Sequence, residues 1–198
     1  MIKFKNLNKE EPYLKLKQKH DEAMNKNQKL IEAITISSFS KQHNEINSRY
    51  VNLKFVDNNE FIFFSNYNSS KAKEFIEHDQ ITALFFWNSI NTQIRIKAKI
   101  KKKSTEYNQK YFLERSSEKN ALAISSKQSQ PIDSYESVIK KYKKSLESDN
   151  LNKCPDFWGG YSFIPYYFEF WEGHESRLNK REVYKKSDDS WKNLILQP

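Results

Sequence analysis

The sequence has few of the residues that build the common nucleotide and metal sites. It contains only three glycines, Gly159, Gly160 and Gly173, among 198 residues. This scarcity excludes a glycine-rich phosphate loop of the Walker or dinucleotide type, so a bound phosphate must be held by side chains. Cys154 is the single cysteine, which excludes an intrachain disulfide and a cysteine metal site and fits a reducing compartment.

Histidine is also scarce, and long apolar runs are missing. His20, His43, His78 and His174 are scattered along the chain without the spacing of a metal site. No apolar run approaches the roughly 20 residues of a membrane span, and the N-terminal residues lack the apolar core of a signal peptide. We therefore expect a cytoplasmic protein with no metal site and no membrane contact.

Lysine and aromatic residues are abundant instead. Lys and Arg number 34 against 25 Asp and Glu, a formal net charge of +9 that favours anionic partners. For any single lysine, a solvated surface position is the default interpretation. The 11 Tyr, 14 Phe and 4 Trp can remove much apolar area from water, so we expect a packed protein although only 37% of the residues are hydrophobic.

The order of apolar and polar residues predicts strands with helices in the connections. A helix is predicted to begin near Glu11, with Pro12 in its first turn. Strands are predicted over residues 33–39, 48–56, 60–65, 81–87 and 92–103, and from Trp158 to the end of the chain. We expect the second and third strands to form a hairpin. Further helices are predicted from Ser69 or Ser70, over residues 104–115 and over residues 134–148.

Together these elements predict one α+β domain over residues 1–198, built as a mainly antiparallel β-barrel with flanking helices. The sequence contains no internal repeat and no stretch that is typical of a domain linker. Its length is that of a single domain with one core.

The strongest signal is the segment FWGGYSFIPYYFEFWEGHESRLNKR at residues 157–181. An aromatic hairpin with a glycine turn would explain WGG or EFW alone, but not the RLxxR that follows. The whole pattern is similar to the signature of the pyridoxine/pyridoxamine 5'-phosphate oxidase family. The matching residues are Trp158, Gly159, Gly160, Glu169, Phe170, Trp171, Gly173, Arg177, Leu178 and Arg181.

Further matches occur upstream in the order of the family. The segment SRYVNLK resembles a strand of the family, and FFSNYNSSKA resembles the strand-to-helix turn that follows it. Isolated matches are Gln93, Tyr111, Arg115, Gln128 and Ser129. The resemblance thus extends from about Pro12 to Pro198, nearly the whole chain.

The resemblance implies an FMN-binding split-barrel homodimer with two FMN molecules in the subunit interface. Residues 1–30 would be an N-terminal helical extension, and residues 157–198 would form the dimerisation and active-site strands. Arg49 and Lys71 would hold the FMN phosphate, and Gln93 would face the flavin ring. Gln128, Ser129, Trp171 and Arg181 would complete the site across the interface. The remaining implied FMN-site residues are Tyr50, Val51, Asn52, Leu53, Lys54, Phe64, Ser65 and Ser70.

The resemblance also implies a substrate site and a reaction. Lys54, Tyr111, Arg115 and Lys119 would bind the substrate phosphate, a dianion that suits Arg forks, Lys point charges and a Tyr hydroxyl. Arg177 and Asn179 would be the catalytic residues and would also contact the substrate. The implied reaction is the oxidation of pyridoxamine or pyridoxine 5'-phosphate to pyridoxal 5'-phosphate, with O2 as electron acceptor and H2O2 as product.

Several positions depart from the family pattern. Asn179 replaces a His and cannot titrate. Ser70 replaces an Arg, which removes a cation from the expected FMN phosphate site, and Lys119 replaces a Ser at the substrate phosphate. NALA replaces the usual QIGA after Lys119, and Ile195 stands in place of an Arg.

Alternatives stay open from the sequence alone. Taken singly, Arg49 and Lys54 are more often solvated strand residues, and Tyr111 beside Phe112 is more often part of a core. The nearest rival function is that of an FMN split-barrel oxidoreductase for a different small molecule. A basic nucleic-acid-binding barrel is the rival from another class, although no RNP-like or helix-turn-helix pattern is present, so we expect no nucleic-acid partner.

Overall fold

The computed structural model describes residues 1–188 and 190–198. Its strands are β1 (Lys3–Lys5), β2 (Ala33–Ser40), β3 (Glu45–Asn52), β4 (Phe55–Asp57), β5 (Glu60–Asn66), β6 (Gln80–Trp87), β7 (Thr92–Lys102), β8 (Trp158–Glu172), β9 (Lys180–Ser187) and β10 (Ser190–Leu196). Its helices are α1 (Glu11–Asn25), α2 (Ser70–Glu77), α3 (Thr105–Leu113), α4 (Ser117–Ser125) and α5 (Tyr135–Ser148), with a 3₁₀ turn at Asn88–Ile90.

The strands form one curled sheet in the order β1-β4-β5-β8-β7-β6-β2-β3, and β9 and β10 extend it from β8. Only the short β1–β4 pair is parallel among the described strands. β8 is hydrogen-bonded to β7 along its length, to β5 through its first residues and to β9 through its last. A bulge between Lys97 and Ala98 lies opposite Pro165, which has no N–H for the ladder.

The core follows from the alternation of side chains along the strands. Ile94, Ile96, Ala98 and Ile100 of β7 are buried on one face, while the residues between them point outward. Aromatic rings fill the centre, for example Phe61 stacked on the ring of Phe163 at 5.1 Å between centroids. Each fully buried ring of this kind contributes about 1.5 to 3 kcal/mol through removal from water. The buried cluster includes residues from Ile2 to Tyr184.

Helix α1 packs on this core through one face. Pro12 occupies its first turn, and Tyr13, Leu16, His20 and Ala23 are buried at helical spacing. The ring of Tyr13 meets that of Phe168 edge-on at 5.4 Å. Ion pairs from partly buried lysines of the helix to β8 and β9 fix its position further: Lys19 with Glu172 at 3.0 Å, and Lys15 with Glu182.

The structure agrees with most predicted elements but corrects the strand expected over residues 48–56. That segment is two strands, β3 and β4, because the backbone changes partner at Leu53 and Lys54. The amide of Leu53 donates to Glu32 O and that of Lys54 to Ile62 O, both at 2.8 Å. Only β4 therefore forms the expected hairpin with β5, whereas β3 pairs with β2.

Two short elements were not predicted. β1 has three residues and pairs only with β4, so its sequence is too short to show a period. Helix α4 buries only Asn120 and Ala121 fully. Its apolar stripe is too weak to predict a helix from the sequence.

His20 makes the fold sensitive to acid. Its ring lies edge-on to Phe4 and Trp87, and among the described residues its Nε2 has no hydrogen-bond partner. Burial lowers the pKa of His20 from 6.5, against the opposing effect of Asp21. The unfolded chain therefore binds a proton at a higher pH than the folded chain does, and the free energy of unfolding decreases as the pH falls below about 6.5.

We predict that His20→Phe flattens the dependence of the unfolding free energy on pH between 7 and 5. Denaturant unfolding at a series of pH values measures it. His43→Gln, at an exposed loop position, is the matched control and should keep the wild-type slope. An unchanged slope in His20→Phe would contradict the assignment.

Candidate functional site

A cavity of about 690 Å³ opens beside β3 and β5, within the size range of small-molecule and cofactor sites. Strands β3 and β5, the first turn of α2, the end of α3 and the loop after α4 supply its walls. The structure brings fourteen of the predicted site residues together here: Arg49, Tyr50, Val51, Asn52, Lys54, Phe64, Ser65, Ser70, Lys71, Tyr111, Arg115, Lys119, Gln128 and Ser129.

Arg49 and Lys71 form one cationic group of the cavity. Arg49 is already paired, because its Nη2 donates to Glu74 Oε2 at 2.9 Å and its Nη1 to Ser38 Oγ at 2.6 Å. Lys71 is buried and donates to Ser69 Oγ at 3.2 Å, and it forms no ion pair with a carboxylate of residues 1–188 or 190–198. Burial, and then the Arg49 charge, lowers the pKa of Lys71 to about 8. Lys71 is therefore the cation that an anion would stabilise most.

Lys54, Arg115 and Lys119 form a second cationic group. Burial lowers the pKa of Lys54, and the charges of Lys119 and Arg115 lower it further against the opposing charge of Glu32. Arg115 donates through Nη2 to the carbonyl of Lys119 at 3.0 Å, while its buried Nη1 has no partner in the described part of the chain. A buried donor without an acceptor is costly, so this group favours an anionic ligand.

Three stacked aromatic rings form part of the cavity wall. Phe64 stacks on Tyr111 at 3.7 Å between centroids and on Trp158 at 5.3 Å. The guanidinium carbon of Arg115 lies 4.2 Å from the Trp158 ring centroid, a distance at which the ring supports the cation. The sequence identifies Trp158 only as part of the WGG motif. The β5–β8 pairing places its ring beside Phe64 and Arg115, and a pairing between distant strands leaves no local signal in the sequence.

The glycine after Trp158 is required by packing behind this wall. Asn108 accepts from the amide of Gly160 at 2.8 Å and donates to the Tyr67 hydroxyl at 2.9 Å. A Cβ at Gly159 would lie 2.3 Å from both Asn108 Nδ2 and Tyr67 Oη. The WGG motif thus needs its first glycine because two hydrogen-bonded side chains occupy that space.

Gln128 and Ser129 correct one expectation. The resemblance implied that they reach the site across a subunit interface, but both line the cavity of their own chain. Gln128 Oε1 accepts from the Asn66 amide at 3.3 Å, which holds the loop after α4 against the end of β5. Ser129 has φ 69°, a left-handed conformation that non-glycine residues seldom adopt.

Leu53 supplies no side chain to the cavity. Its side chain is fully buried in the core at the corner between β3 and β4, and in the described structure Leu53 is not part of the cavity lining.

Gln93, Trp171 and Arg181 lie together elsewhere on the sheet. Trp171 of β8 is the direct cross-strand partner of Gln93 on β7 and of Arg181 on β9. None of the three lines the described cavity of the same chain. The sequence-predicted cofactor residues therefore fall into two groups at different places on one chain.

Arg177 and Asn179 lie on the turn between β8 and β9, also outside the described cavity lining. Arg177 is exposed and has φ 60°. Asn179 Oδ1 accepts from the amide of His174 at 3.0 Å, and His174 Nδ1 accepts from the amide of Ser176 at 3.2 Å. In this structure Asn179 closes the turn that carries Arg177.

The described residues form neither a metal cluster nor a membrane-spanning helix. In residues 1–188 and 190–198 no cluster of three or more His, Cys, Asp or Glu side chains is arranged to hold a metal ion. No helix in these ranges combines the length and apolar character needed to span a membrane.

Two models of known protein families match this chain. The family model described as pyridoxamine 5'-phosphate oxidase matches residues 20–145. The chain belongs to this family. The model described as the pyridoxine 5'-phosphate oxidase C-terminal dimerisation region matches residues 158–198, the part that contains the WGG, EFW and RLxxR motifs.

Individual relatives agree with the family assignment. The chain is 34% identical over 180 residues to pyridoxine/pyridoxamine 5'-phosphate oxidase 1 of Hydrogenovibrio crunogenus, covering 89% of this chain and 83% of the relative. It is 41% identical over 154 residues to the pyridoxine/pyridoxamine 5'-phosphate oxidase of Haemophilus influenzae, covering 77% and 73%.

Solved structures confirm the split-barrel fold class predicted from the sequence. The structure resembles PhzG from Burkholderia lata 383, solved in complex with tetrahydrophenazine-1-carboxylic acid, with TM-score 0.89, 25% identity and coverage of 95% of this chain and 93% of PhzG. A pyridoxamine 5'-phosphate oxidase-related, FMN binding protein from Nostoc punctiforme has TM-score 0.76 at 13% identity, with coverage of 91% and 96%.

Gly159→Ala should destabilise the protein by about 1 to 3 kcal/mol, because the new methyl group overpacks the space held by Asn108 and Tyr67. At this chain length such a loss lowers Tm by about 3 to 10 °C. Gly160→Ala is the matched control. Its Cβ would lie 3.1 Å from the Lys103 side chain and 3.2 Å from the Phe64 ring. Both distances are longer than the 2.3 Å contacts at Gly159, so its Tm should fall less. Thermal unfolding measures both, and equal losses would count against the packing argument.

Proposed function

We propose that the protein oxidises pyridoxamine 5'-phosphate or pyridoxine 5'-phosphate to pyridoxal 5'-phosphate, with FMN as cofactor and O2 as electron acceptor. The observation that carries the proposal is the presence of two cationic groups in one cavity, Arg49 with Lys71 and Lys54 with Arg115 and Lys119. FMN and the substrate each carry one phosphate. Membership of the pyridoxamine 5'-phosphate oxidase family supports the same reaction.

The residues present suit FMN. Lys71 and Arg49 would hold its phosphate, together with Ser70 at the start of α2. Lys71 has no carboxylate counterion in the described structure, so a phosphate would supply the opposite charge that its buried amine lacks. The stacked rings of Phe64, Tyr111 and Trp158 add apolar surface to the same cavity. When bound, FMN accepts a hydride from the substrate and is reoxidised by O2, which yields H2O2.

The protein would bind and orient the substrate through its phosphate. Arg115 is fixed by the Lys119 carbonyl and by the Trp158 ring, and its unpartnered Nη1 can donate to a phosphate oxygen. Burial raises the pKa of Tyr111, so its hydroxyl stays protonated as a donor at neutral pH. Lys54 and Lys119 add two point charges. Such fixed contacts convert binding energy into a defined position of the reacting carbon.

The charge of the second group favours a phosphorylated substrate over a carboxylate. PhzG was solved with a carboxylic acid, which carries one negative charge. Here Lys54, Arg115 and Lys119 form no ion pair with a carboxylate in the described ranges, so three positive charges remain to be balanced. A phosphate dianion balances more of this charge, and Lys119, where the family has a Ser, increases the preference.

A homodimer would complete the site. Gln93, Trp171, Arg181, Arg177 and Asn179 lie outside the cavity of their own chain, and the model of the family's dimerisation region matches residues 158–198. Exposed apolar side chains lie on the neighbouring strands, among them Tyr50 at 76% exposure and Phe86 at 56%. Phe86 is the cross-strand partner of Gln93. A second copy that covers these side chains would remove apolar surface from water, which supports a homodimer.

A cytoplasmic location belongs to this proposal. The sequence has one cysteine, and burial raises the pKa of the Cys154 thiol to about 11, which keeps it protonated. A protein of this composition does not depend on an oxidising compartment for its folding.

The outer face of β7 does not favour the nucleic-acid alternative. Lys99 pairs with Asp79 at 3.4 Å, and Lys101 and Lys103 pair with Glu60 at 3.3 and 2.5 Å. Each of these three lysines has a carboxylate within ion-pair distance, with Glu60 shared by Lys101 and Lys103. They therefore do not form the unpaired basic stripe that a phosphate backbone favours.

The proposal is tested with purified protein to which FMN has been added. Bound FMN should appear as the flavin absorption bands, and both phosphorylated vitamers should be assayed for O2 consumption, H2O2 formation and pyridoxal 5'-phosphate formation. We expect turnover of at least one vitamer and much lower rates with pyridoxine, which lacks the phosphate. A flavin-loaded protein that produces no pyridoxal 5'-phosphate would favour a different small-molecule substrate, and a protein unable to bind FMN would overturn the proposal.

The buried amine of Lys71 predicts how FMN binding depends on pH. Below pH 8 the amine is protonated before FMN binds, so the Kd should be nearly constant. Above its pKa of about 8, binding requires uptake of a proton, and the Kd should rise by up to about tenfold per pH unit. Lys71→Met should weaken binding at pH 7 and remove this rise. Lys73→Met, at an exposed position of α2, should behave like the wild type in titrations from pH 7 to 9.5.

A further inference from the structure

A buried carboxylate between two arginines lies outside the cavity. Glu169 of β8 is 3% exposed, and its direct cross-strand partner on β7 is Arg95. Arg181 on β9 is the partner of Trp171, two residues further along β8. The sequence signature includes Glu169 as the first residue of EFW but gives it no role.

The two carboxylate oxygens of Glu169 accept hydrogen bonds from different residues. Oε1 accepts from Nε and Nη2 of Arg181 at 2.9 and 2.8 Å. Oε2 accepts from Arg95 Nη2 and, at 2.8 Å, from the Tyr167 hydroxyl. Arg181 Nη1 donates to the carbonyl of Gln197 at 3.0 Å. Arg181 is therefore fixed by three hydrogen bonds before any ligand binds.

The charges of this cluster do not cancel. Burial alone would raise the pKa of Glu169, but hydrogen bonds from Arg95 and Arg181 hold that pKa below its ordinary value, so the carboxylate is ionised at neutral pH. Two guanidinium groups then face one carboxylate. Because Arg95 balances Glu169, one positive charge remains on the partly exposed Arg181.

A purely structural role explains this arrangement poorly. Burying the Glu169 carboxylate between two partly exposed arginines costs desolvation energy, and well-packed apolar residues often stabilise a fold equally well or better. A cluster that both orients an arginine and preserves its charge is better explained by a ligand for that arginine.

We propose that Glu169 is a positioning residue, which holds Arg181 in the orientation needed to contact FMN, and that Arg95 keeps the charge of Arg181 available by neutralising Glu169. This inference rests on the proposed function, in which Arg181 contributes to the flavin site. It adds to that function two residues that act through Arg181: Glu169, which contacts Arg181, and Arg95, which contacts Glu169.

The test measures the Kd of FMN-free protein for FMN by quenching of flavin fluorescence. Glu169→Gln keeps the side-chain volume but removes the charge, and should raise the Kd by about 10- to 100-fold, the effect of one charge-assisted contact. Arg181→Met should also raise the Kd. If Glu169 acts through Arg181, adding Glu169→Gln to Arg181→Met should cause little further change, because the two effects share one contact.

Arg95→Met provides a second, independent measurement. It should raise the Kd several-fold and reduce the dependence of the Kd on salt, because Glu169 then neutralises Arg181. Lys99→Met is the matched control, since it removes one cation from the same strand at an exposed ion pair and should leave the Kd unchanged. Thermal unfolding of each FMN-free variant separates loss of the fold from loss of binding.

Wild-type protein that binds FMN while Glu169→Gln binds equally well would overturn this inference and leave the proposed function intact. Full additivity of Glu169→Gln and Arg181→Met would overturn it as well. If Glu169→Gln does not fold, the inference is decided by Arg95→Met, and a Kd equal to that of Lys99→Met would overturn it. Wild-type protein that does not bind FMN would overturn the proposed function itself.

Discussion

The pairing of one long strand with three neighbours is the constraint on which the rest of the structure depends. β8 has 15 residues and is hydrogen-bonded to β5, β7 and β9. Its first residues bring Trp158 and Gly159 against Phe64 and Asn108, and its last residues carry Glu169 and Trp171. Because side chains alternate along a strand, a slip of one residue would reverse the face of every one of them. The β5–β8 register therefore sets the half of the candidate site around Trp158, and the β7–β8 register sets the half around Trp171.

The positions for an anionic ligand are marked by cations that lack a carboxylate partner, and not by the number of lysines in the chain. Lys99 and Lys101 on the outer face of β7 and Lys103 just after it have acidic partners, and Arg49 is balanced by Glu74. Lys71, by contrast, is buried beside a hydroxyl, and Arg115 has a buried donor without a partner in the described residues. Since a buried charge without a partner is costly, these are the positions where an anionic ligand adds stability. The net charge of +9 alone did not locate them.

Local patterns in the sequence predicted most of the helices and strands. The family resemblance indicated most of the residues that line the cavity. The period of two in β7 and the capping serine of α3 act over a few residues, so they can be read directly. The corner at Leu53 and the support of Arg115 by Trp158 depend on which strands pair, and that is decided by packing far along the chain. Glu169 shows the limit most clearly: the motif contains it, but only the sheet register reveals that it joins Arg95 to Arg181.

The two groups of cofactor residues cannot meet within one chain. Trp158 and Trp171 stand at opposite ends of β8, about 40 Å apart along an extended strand. Under the proposed function both groups contact the same flavin, so a second copy of the chain must supply one of them. A cofactor that touches both chains binds the assembled form and not the separate chains. Binding of FMN and association of the chains then favour each other, because each lowers the free energy of the same dimeric state. The weaker phosphate group left by Ser70 would be offset in part by this linkage, since the interface contributes Arg181 as a further cation.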